Sequence, residues 1–195
     1  KLRLAFAMIG RLQVELLGAG NIGLVTVAAA RALGAGKILV TARHKHQADM
    51  ARLLGADLIL PPEGTVLSEA LLEVTSGRGA DLTLETVGGR SDATIKQAIN
   101  VTRNQGRIVV LGGFHVPVTL DWFQTLIKEQ SIIFSMCYGI VDGRHDFELA
   151  IELMDSGRVA LKKMVTHRFP LSDIQTGFET AYEKSTGSIK VQILW

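Results

Sequence analysis

Cysteine is almost absent from this sequence: Cys137 is the only one in 195 residues. An internal disulfide is thereby excluded, as is a cysteine-rich zinc cluster within the chain. That usage suits a reducing compartment, and cytoplasm is the default expectation. Charge of one sign is lacking too. Lys and Arg number 21 against 19 Asp and Glu, a formal net charge of +2. So small and dispersed an excess gives no argument for a nucleic-acid partner. No apolar run reaches the ~18 residues that a membrane-spanning helix needs. Solenoid-type repeats and low-complexity segments are also missing. What is present is 47% hydrophobic and 21% charged, the composition of a soluble globular chain rather than a disordered one. The length suffices for one domain with a full core and a short appendage.

The opening "KLRLAFAMIGRL" imitates a signal peptide, but Arg11 interrupts it and no small-residue cleavage site follows. It reads instead as a helix burying Leu2, Leu4, Ala5, Met8 and Ile9. The chain does not begin with methionine, and it is expected to be a piece of something longer.

Beyond this point short, β-branched apolar runs alternate with longer amphipathic stretches. Strands are expected at 13–17, 37–42, 56–61, 80–86, 106–113 and 131–136. Helices are expected at 21–34, 46–55, 65–77, 91–102, 121–129 and 144–157, with Gly34 as a C-cap and Ser91 or Asp92 as an N-cap. Several strands are nearly continuous apolar runs, as strands covered on both faces must be. The pattern predicts an α/β fold: a doubly wound, six-stranded parallel sheet of the Rossmann type. Right-handed crossovers then place a switch point at the carboxyl ends of the first and fourth strands. Residues 1–164 form this domain, and the tail 165–195 reads strand, helix (172–184), strand. One residue fits poorly. Glu15 falls in the first, central strand, where an unpaired carboxylate is costly.

The segment Gly18-Ala19-Gly20-Asn21-Ile22-Gly23 has G-x-G-x-x-G spacing between a strand and a helix, which is the context a phosphate-cradling turn requires. Gly18 permits the tight turn, Gly20 lets a pyrophosphate approach the backbone, and Gly23 lets helix and strand pack closely. Free N–H groups at the helix start would meet the anion. The bland alternative is a tight strand–helix turn without ligand. The second strand ends "LVTARHKH". An NAD site wants an acid there to bind the ribose hydroxyls; Ala42 holds that position and Arg43 and His44 follow. A 2′-phosphate carries about −1.5 to −2 charges, which a guanidinium fork clamps and an acid repels. This loop therefore predicts NADP over NAD, against the plainer reading of a solvated basic loop. His44 and His46, at i and i+2, do not share a helix face and have no third ligand nearby, so a metal reading is not favoured. His115, His145 and His167 read as structural or solvated, and Cys137 as a small hydrophobe at a strand end. Two more loops close strands on the same side, "ETVGG" (85–89) and "LGGF" (111–114). Their glycines would let a planar nicotinamide lie close to backbone, or are ordinary turns.

Together "LGAGNIGLVTVAAARALGAGKILVTAR", "LGAD", "ETVGG", "GRIVVLGG" and "MVTHRFPLSDIQTGFETAYEKSTGSIKVQI" resemble the zinc-type medium-chain dehydrogenases. The likeness covers nearly all of 13–195 and is nearest the alcohol and polyol branch, with sorbitol, butanediol and threonine dehydrogenases. It implies a two-domain enzyme that moves hydride between a nicotinamide dinucleotide and an alcohol, polyol or ketone. An N-terminal barrel-like domain would carry a catalytic zinc that polarises the alcohol oxygen. Its ligands would lie ahead of the glycine turn, but the 17 residues before Gly18 contain no Cys, His or Asp. No catalytic or metal-binding residue is therefore assigned here, and the chain alone is not expected to catalyse. The resemblance places the pyrophosphate turn on Gly18, Gly20, Asn21, Ile22 and Gly23. It places the ribose position on Ala42, where this sequence departs, and the "TAR" form is similar to NADP-using relatives such as ketose reductases. It places the nicotinamide side on Thr86, Val87, Gly88, Leu111, Gly112 and Gly113, and a basic pyrophosphate contact on Lys190, which is otherwise an edge-strand lysine. It also implies that the tail belongs partly to the missing catalytic domain, and that the sixth strand pairs with its mate in a homodimer. The competing reading is a non-catalytic dinucleotide sensor or scaffold; a dinucleotide-fold transferase fits the nicotinamide-side loops and the tail less well.

Overall fold

The computed structural model describes residues 12–62 and 64–195. The helix expected around Leu2 to Ile9 lies outside the described residues. Six parallel strands form one sheet: β1 (Gln13–Leu17), β2 (Lys37–Thr41), β3 (Leu58–Leu60), β4 (Ala80–Glu85), β5 (Thr102–Val110) and β6 (Ser131–Phe134). Their spatial order is β3-β2-β1-β4-β5-β6. The order reverses between β1 and β4, so the carboxyl ends of these two strands frame the switch-point crevice. The helices that link the strands are α1 (Asn21–Ala32), α2 (Lys45–Leu54), α3 (Gly64–Val74), α4 (Ala93–Val101) and α5 (Trp122–Ile127).

Each face of the sheet has its own core. On one face Val14, Leu16, Ile38, Val40, Leu82 and Leu84 pack with Leu24, Val27 and Ala28 of α1 and with Ala51 and Leu54 of α2. On the other, Leu17, Leu39, Leu60 and Ile108 pack with Leu67 and Leu71 of α3 and with Ile95, Ala98 and Ile99 of α4. This double coverage explains the apolar strands, since alternate residues face opposite layers and both layers are dry.

The strand alternation turns Glu15 to the same side as Leu17. It is fully buried, its neighbours in the ladder are Leu39 and Thr83, and among the described residues neither carboxyl oxygen has a hydrogen-bond partner. Desolvation pushes its pKa well above the ordinary carboxylate range. A fully buried Leu or Ile contributes about 1.5–3 kcal/mol, so the surrounding apolar residues outweigh one unpaired carboxyl.

Several boundaries depart from expectation for visible reasons. α1 ends at Ala32 and Leu33 is its cap; Gly34, with φ +86°, is the residue after it. The Gly34 N–H reaches the Arg31 carbonyl and the Ala35 N–H the Ala30 carbonyl, closing the helix as a Schellman motif. At α4 the cap position is Asp92, but its carboxylate pairs with Lys96 while Ser91 Oγ accepts from the Ala93 N–H. β5 starts at Thr102 rather than 106, because the Thr102 and Thr83 hydroxyls bond across the ladder at 2.6 Å, and it stops at Val110 rather than 113. The helix expected from 144 begins later, as α6 (Asp146–Asp155). Ahead of it a short antiparallel hairpin pairs β7 (Ile140–Val141) with β8 (Arg144–His145). Its turn is Asp142-Gly143 with φ +53° and +77°, the Asp-Gly signal of a two-residue hairpin loop. Cys137 is not packed as a small hydrophobe: it is exposed beyond the end of β6. The tail folds as β9 (Val165–Pro170), α7 (Ile174–Tyr182) and β10 (Lys190–Leu194), a parallel two-stranded sheet separate from the main one.

The raised Glu15 pKa sets a sign. Between the ordinary value near 4.3 and the raised one, the folded chain holds a proton that the unfolded chain releases, so stability falls as pH rises through that window. Glu15→Leu is expected to gain about 1–3 kcal/mol at pH 8. The gain shrinks as pH falls toward 5, which thermal melts of both proteins at the two pH values will check.

Candidate functional site

The carboxyl ends of β1, β2, β4 and β5 meet at the crevice, and the glycine turn stands at its centre. Gly18 closes β1 with φ +100° and donates its N–H to Thr41 Oγ1 at 2.8 Å, tying the turn to the end of β2. A side chain here would strike Val87 Cγ2 at 2.6 Å. Gly23 lies in the first turn of α1, and a Cβ on it would overlap the Gly18 carbonyl oxygen. These two glycines are demanded by the protein itself, because helix and strand touch there. Gly20 differs: a Cβ on it would meet no atom within 4 Å. Gly20 is the N-cap of α1 and, lacking a side chain, caps nothing. The Asn21, Ile22 and Gly23 N–H groups have no acceptor among the described residues, while the Leu24 N–H bonds to the Gly20 carbonyl. Asn21 and Ile22 are exposed. The turn thus presents a patch of unpaired amides at the positive end of a helix, with open space before it.

At the end of β2, Ala42 is half-buried and its N–H reaches the Leu60 carbonyl at 3.3 Å. Arg43 and His44 follow, both exposed, and His44 caps α2. Lys45 is held by Asp49 at 2.5 Å, and Arg52 shares the same carboxylate. Arg43 has no carboxylate partner among the described residues, so its charge is the uncommitted one in this basic run. His44 and His46 were expected to face apart, but His44 is extended and only His46 is helical; their rings stack with centroids 5.4 Å apart. Desolvation, then the nearby His44 and Lys184, push the His46 pKa down.

The loops after β4 and β5 form one unit. Thr86 donates its hydroxyl to the Leu17 carbonyl at 2.8 Å, beside the glycine turn. Val87 is half exposed against Gly18. Gly88 has φ +58°, and a Cβ on it would stand 2.5 Å from the Gly113 carbonyl oxygen. The Gly89 N–H reaches that same oxygen, and the His115 N–H reaches the Gly89 carbonyl. The Leu111 N–H closes the ladder on the Glu85 carbonyl, and the Gly112 N–H shares that carbonyl where the strand ends. Gly18, Gly20, Asn21, Ile22, Gly23, Thr86, Val87 and Gly88, with Leu111, Gly112 and Gly113 joined to them through these bonds, therefore gather at the switch point. Lys190 opens β10 in the tail sheet and is exposed, and among the described residues no bond joins its side chain to these loops. Thr41 and Glu85 were not singled out from sequence, although each is a buried polar residue closing an apolar parallel strand. That is the legible signal for a side chain that organises a loop.

Among the described residues no group of three or more His, Cys, Asp or Glu could hold a metal ion, so the side chains present do not fit a zinc site. Among the same residues no helix is long and apolar enough to cross a membrane.

A family profile described as zinc-binding dehydrogenase matches residues 21–156. The chain belongs to this zinc-binding dehydrogenase family. It is 30% identical to the L-threonine 3-dehydrogenase of Bacillus licheniformis over 185 residues, 93% of this chain and 51% of that protein. Among solved structures it is similar to 2R,3R-butanediol dehydrogenase from Bacillus subtilis, with a TM-score of 0.82, 25% identity, and coverage of 96% of this chain and 52% of that one. It also shares the fold of a Sinorhizobium meliloti protein solved bound to NADP, with a TM-score of 0.81 and 23% identity over 97% of this chain and 54% of that one. The chain spans about half the length of the curated relatives it matches.

The glycines are expected to separate on substitution. Alanine ordinarily favours a helix over glycine by about 1 kcal/mol, but the overlap at Gly23 reverses that sign. Gly23→Ala should lower the melting temperature by about 2–10 °C, whereas Gly20→Ala should leave it within about 2 °C. Thermal melts of the two variants check the contrast.

Proposed function

We propose that this chain is the dinucleotide-holding part of a zinc-dependent dehydrogenase, one that transfers hydride between NADP(H) and an alcohol, polyol or ketone. The observation that carries the reading is Gly20: nothing in the protein needs a glycine there, yet it fronts unpaired helix-start amides. A pyrophosphate lying against the backbone supplies the reason. Gly18, Gly20, Asn21, Ile22 and Gly23 cradle that pyrophosphate, and Lys190 reaches it from the tail. Ala42, Arg43 and His44 receive the adenylate end, with the unpaired Arg43 guanidinium on the 2′-phosphate. Thr86, Val87, Gly88, Leu111, Gly112 and Gly113 line the nicotinamide side.

The chain's own contribution is binding and orientation. The loops fix one face of the nicotinamide against backbone, and the helix start neutralises the phosphates. Zinc, when bound in the whole enzyme, polarises the substrate oxygen. Its ligands and the substrate contacts belong to an N-terminal catalytic domain, and this chain alone does not catalyse. Residues 1–164 act as the dinucleotide domain, and 165–195 return toward the catalytic domain. Cytoplasm is the compartment that the single cysteine favours. A purely sensing or scaffolding role draws no support from relatives that are named as dehydrogenases.

β6 closes one edge of the sheet, with Ser131 and Phe134 exposed and Ile132 and Ile133 half-buried. An open, apolar edge of this kind favours pairing with a second copy across a two-fold axis. Light scattering at high concentration is expected to return twice the 21.1 kDa chain mass; a monomer overturns the dimer.

Cofactor choice is tested by calorimetric titration with NADPH and NADH. NADPH should bind about ten- to a hundredfold tighter, the worth of a charged hydrogen bond of roughly 1.5–3 kcal/mol. Arg43→Ala should erase the difference. NADH binding equal to or tighter than NADPH overturns the preference. Gly20→Ala should weaken both dinucleotides at least about tenfold without changing the melt.

A further inference from the structure

The turn beside the glycine loop contains a side chain that no role described so far requires. Glu85 closes β4 and is fully buried. Three donors converge on one of its carboxyl oxygens: the Val87 N–H at 2.9 Å, the Gly88 N–H at 2.8 Å and the Thr94 hydroxyl at 2.8 Å. The other oxygen has no partner and occupies the space that a side chain at Gly112 would need. The backbone carbonyl of the same residue accepts from Leu111 at 2.8 Å and Gly112 at 3.1 Å. One residue therefore anchors the loop after β4 through its side chain, the loop after β5 through its backbone, and the start of α4 through Thr94.

The orientation has a chemical result. Among the described residues every peptide bond is trans, so an N–H turned inward sets the carbonyl of the same peptide group on the opposite side. With the Val87 and Gly88 N–H groups drawn onto Glu85, the Thr86 and Val87 carbonyls face away from it, and neither accepts a hydrogen bond within the described residues. The glycine turn offers donors, which suit an anion. This loop offers acceptors, which suit hydroxyl and amide donors.

We propose that Glu85 is the positioning residue of the nicotinamide side, a step that rests on the dinucleotide reading above. It holds the two loops in register before ligand arrives and aims the Thr86 and Val87 carbonyls outward as acceptors for ribose hydroxyl or carboxamide protons. Glu85 does not touch the ligand. It acts through the loops.

Two variants and two readouts test this. Glu85→Gln keeps the size and replaces the oxygen pair with one acceptor and one donor. Thr94→Ala keeps Glu85 and removes one of its three donors. Amide hydrogen exchange at Val87 and Gly88, whose N–H groups bond to the Glu85 side chain, is expected to quicken at least about tenfold in Glu85→Gln and by a smaller factor in Thr94→Ala, while Leu111 and Gly112, held by the backbone carbonyl, change less. Calorimetry is then run with NADPH and with 2′-phospho-ADP-ribose, which lacks the nicotinamide. Glu85→Gln should weaken NADPH about tenfold and leave the fragment within about twofold. A merely structural role would weaken both alike, and that result overturns the proposal, as does unchanged exchange. If Glu85→Gln fails to fold, Thr94→Ala decides by the same pattern at smaller amplitude. Failure of the unaltered protein to bind either probe overturns the dinucleotide reading instead, and exchange alone then judges whether Glu85 fixes the loops.

Discussion

Everything at the crevice follows from how closely α1 crosses the end of β1. The Gly18 carbonyl lies where a side chain on Gly23 would stand, so the helix can seat against the strand only if that side chain is absent. Seating it there brings the helix start over the switch point and leaves its first amides unpaired. The same approach puts Gly18 under Val87 and lets Thr86 reach the Leu17 carbonyl. Remove the close approach and the amide patch, the loop after β4 and the tie to Thr41 all lose their common reference.

Against that constraint the charges divide into committed and uncommitted. Asp57 is used twice, by Arg31 and by the Ile38 N–H, and Asp81 is used by Arg103 and by the Gln13 N–H. These carboxylates fasten helix and strand ends and leave nothing for a ligand. Arg43 fastens nothing. Glu15 is the opposite extreme, a buried carboxyl without a partner among the described residues, held in place by the apolar strands around it. Among the described residues of the basic run after β2, Arg43 is the exposed cation without a carboxylate partner.

The order of strands and helices was legible in the sequence because each strand is a short apolar run and each helix a longer amphipathic one. The glycine turn was legible for the same reason, since its meaning comes from a strand before it and a helix after it. What escaped were features decided by contacts distant in sequence. β5 begins early because Thr102 finds Thr83, and it closes at Val110, where the Gly112 N–H shares the Glu85 carbonyl with the last ladder bond from Leu111. Glu85 is the exception: it fell within the expected strand 80–86 and the loop 85–89, and two of its three donors, Val87 and Gly88, are near in sequence, with Thr94 reaching back from the next helix. The β7–β8 hairpin is a different case. Asp142-Gly143 carried the local signal just ahead of the helix expected at 144–157, and that helix's first two residues, Arg144 and His145, were taken by the second strand of the hairpin.

The bonds that join the loop after β4 to the loop after β5 have a consequence for divergence and design. Gly88 fits only against Gly113, Gly89 bonds to Gly113, and His115 bonds back to Gly89. A side chain at Gly88 strikes the backbone of Gly112 and Gly113, and one at Gly112 strikes the backbone of Gly88, so either change is felt at once in the other loop. Such loops cannot drift separately; they change as a matched cassette, and anyone grafting one of them onto a related scaffold has to carry both.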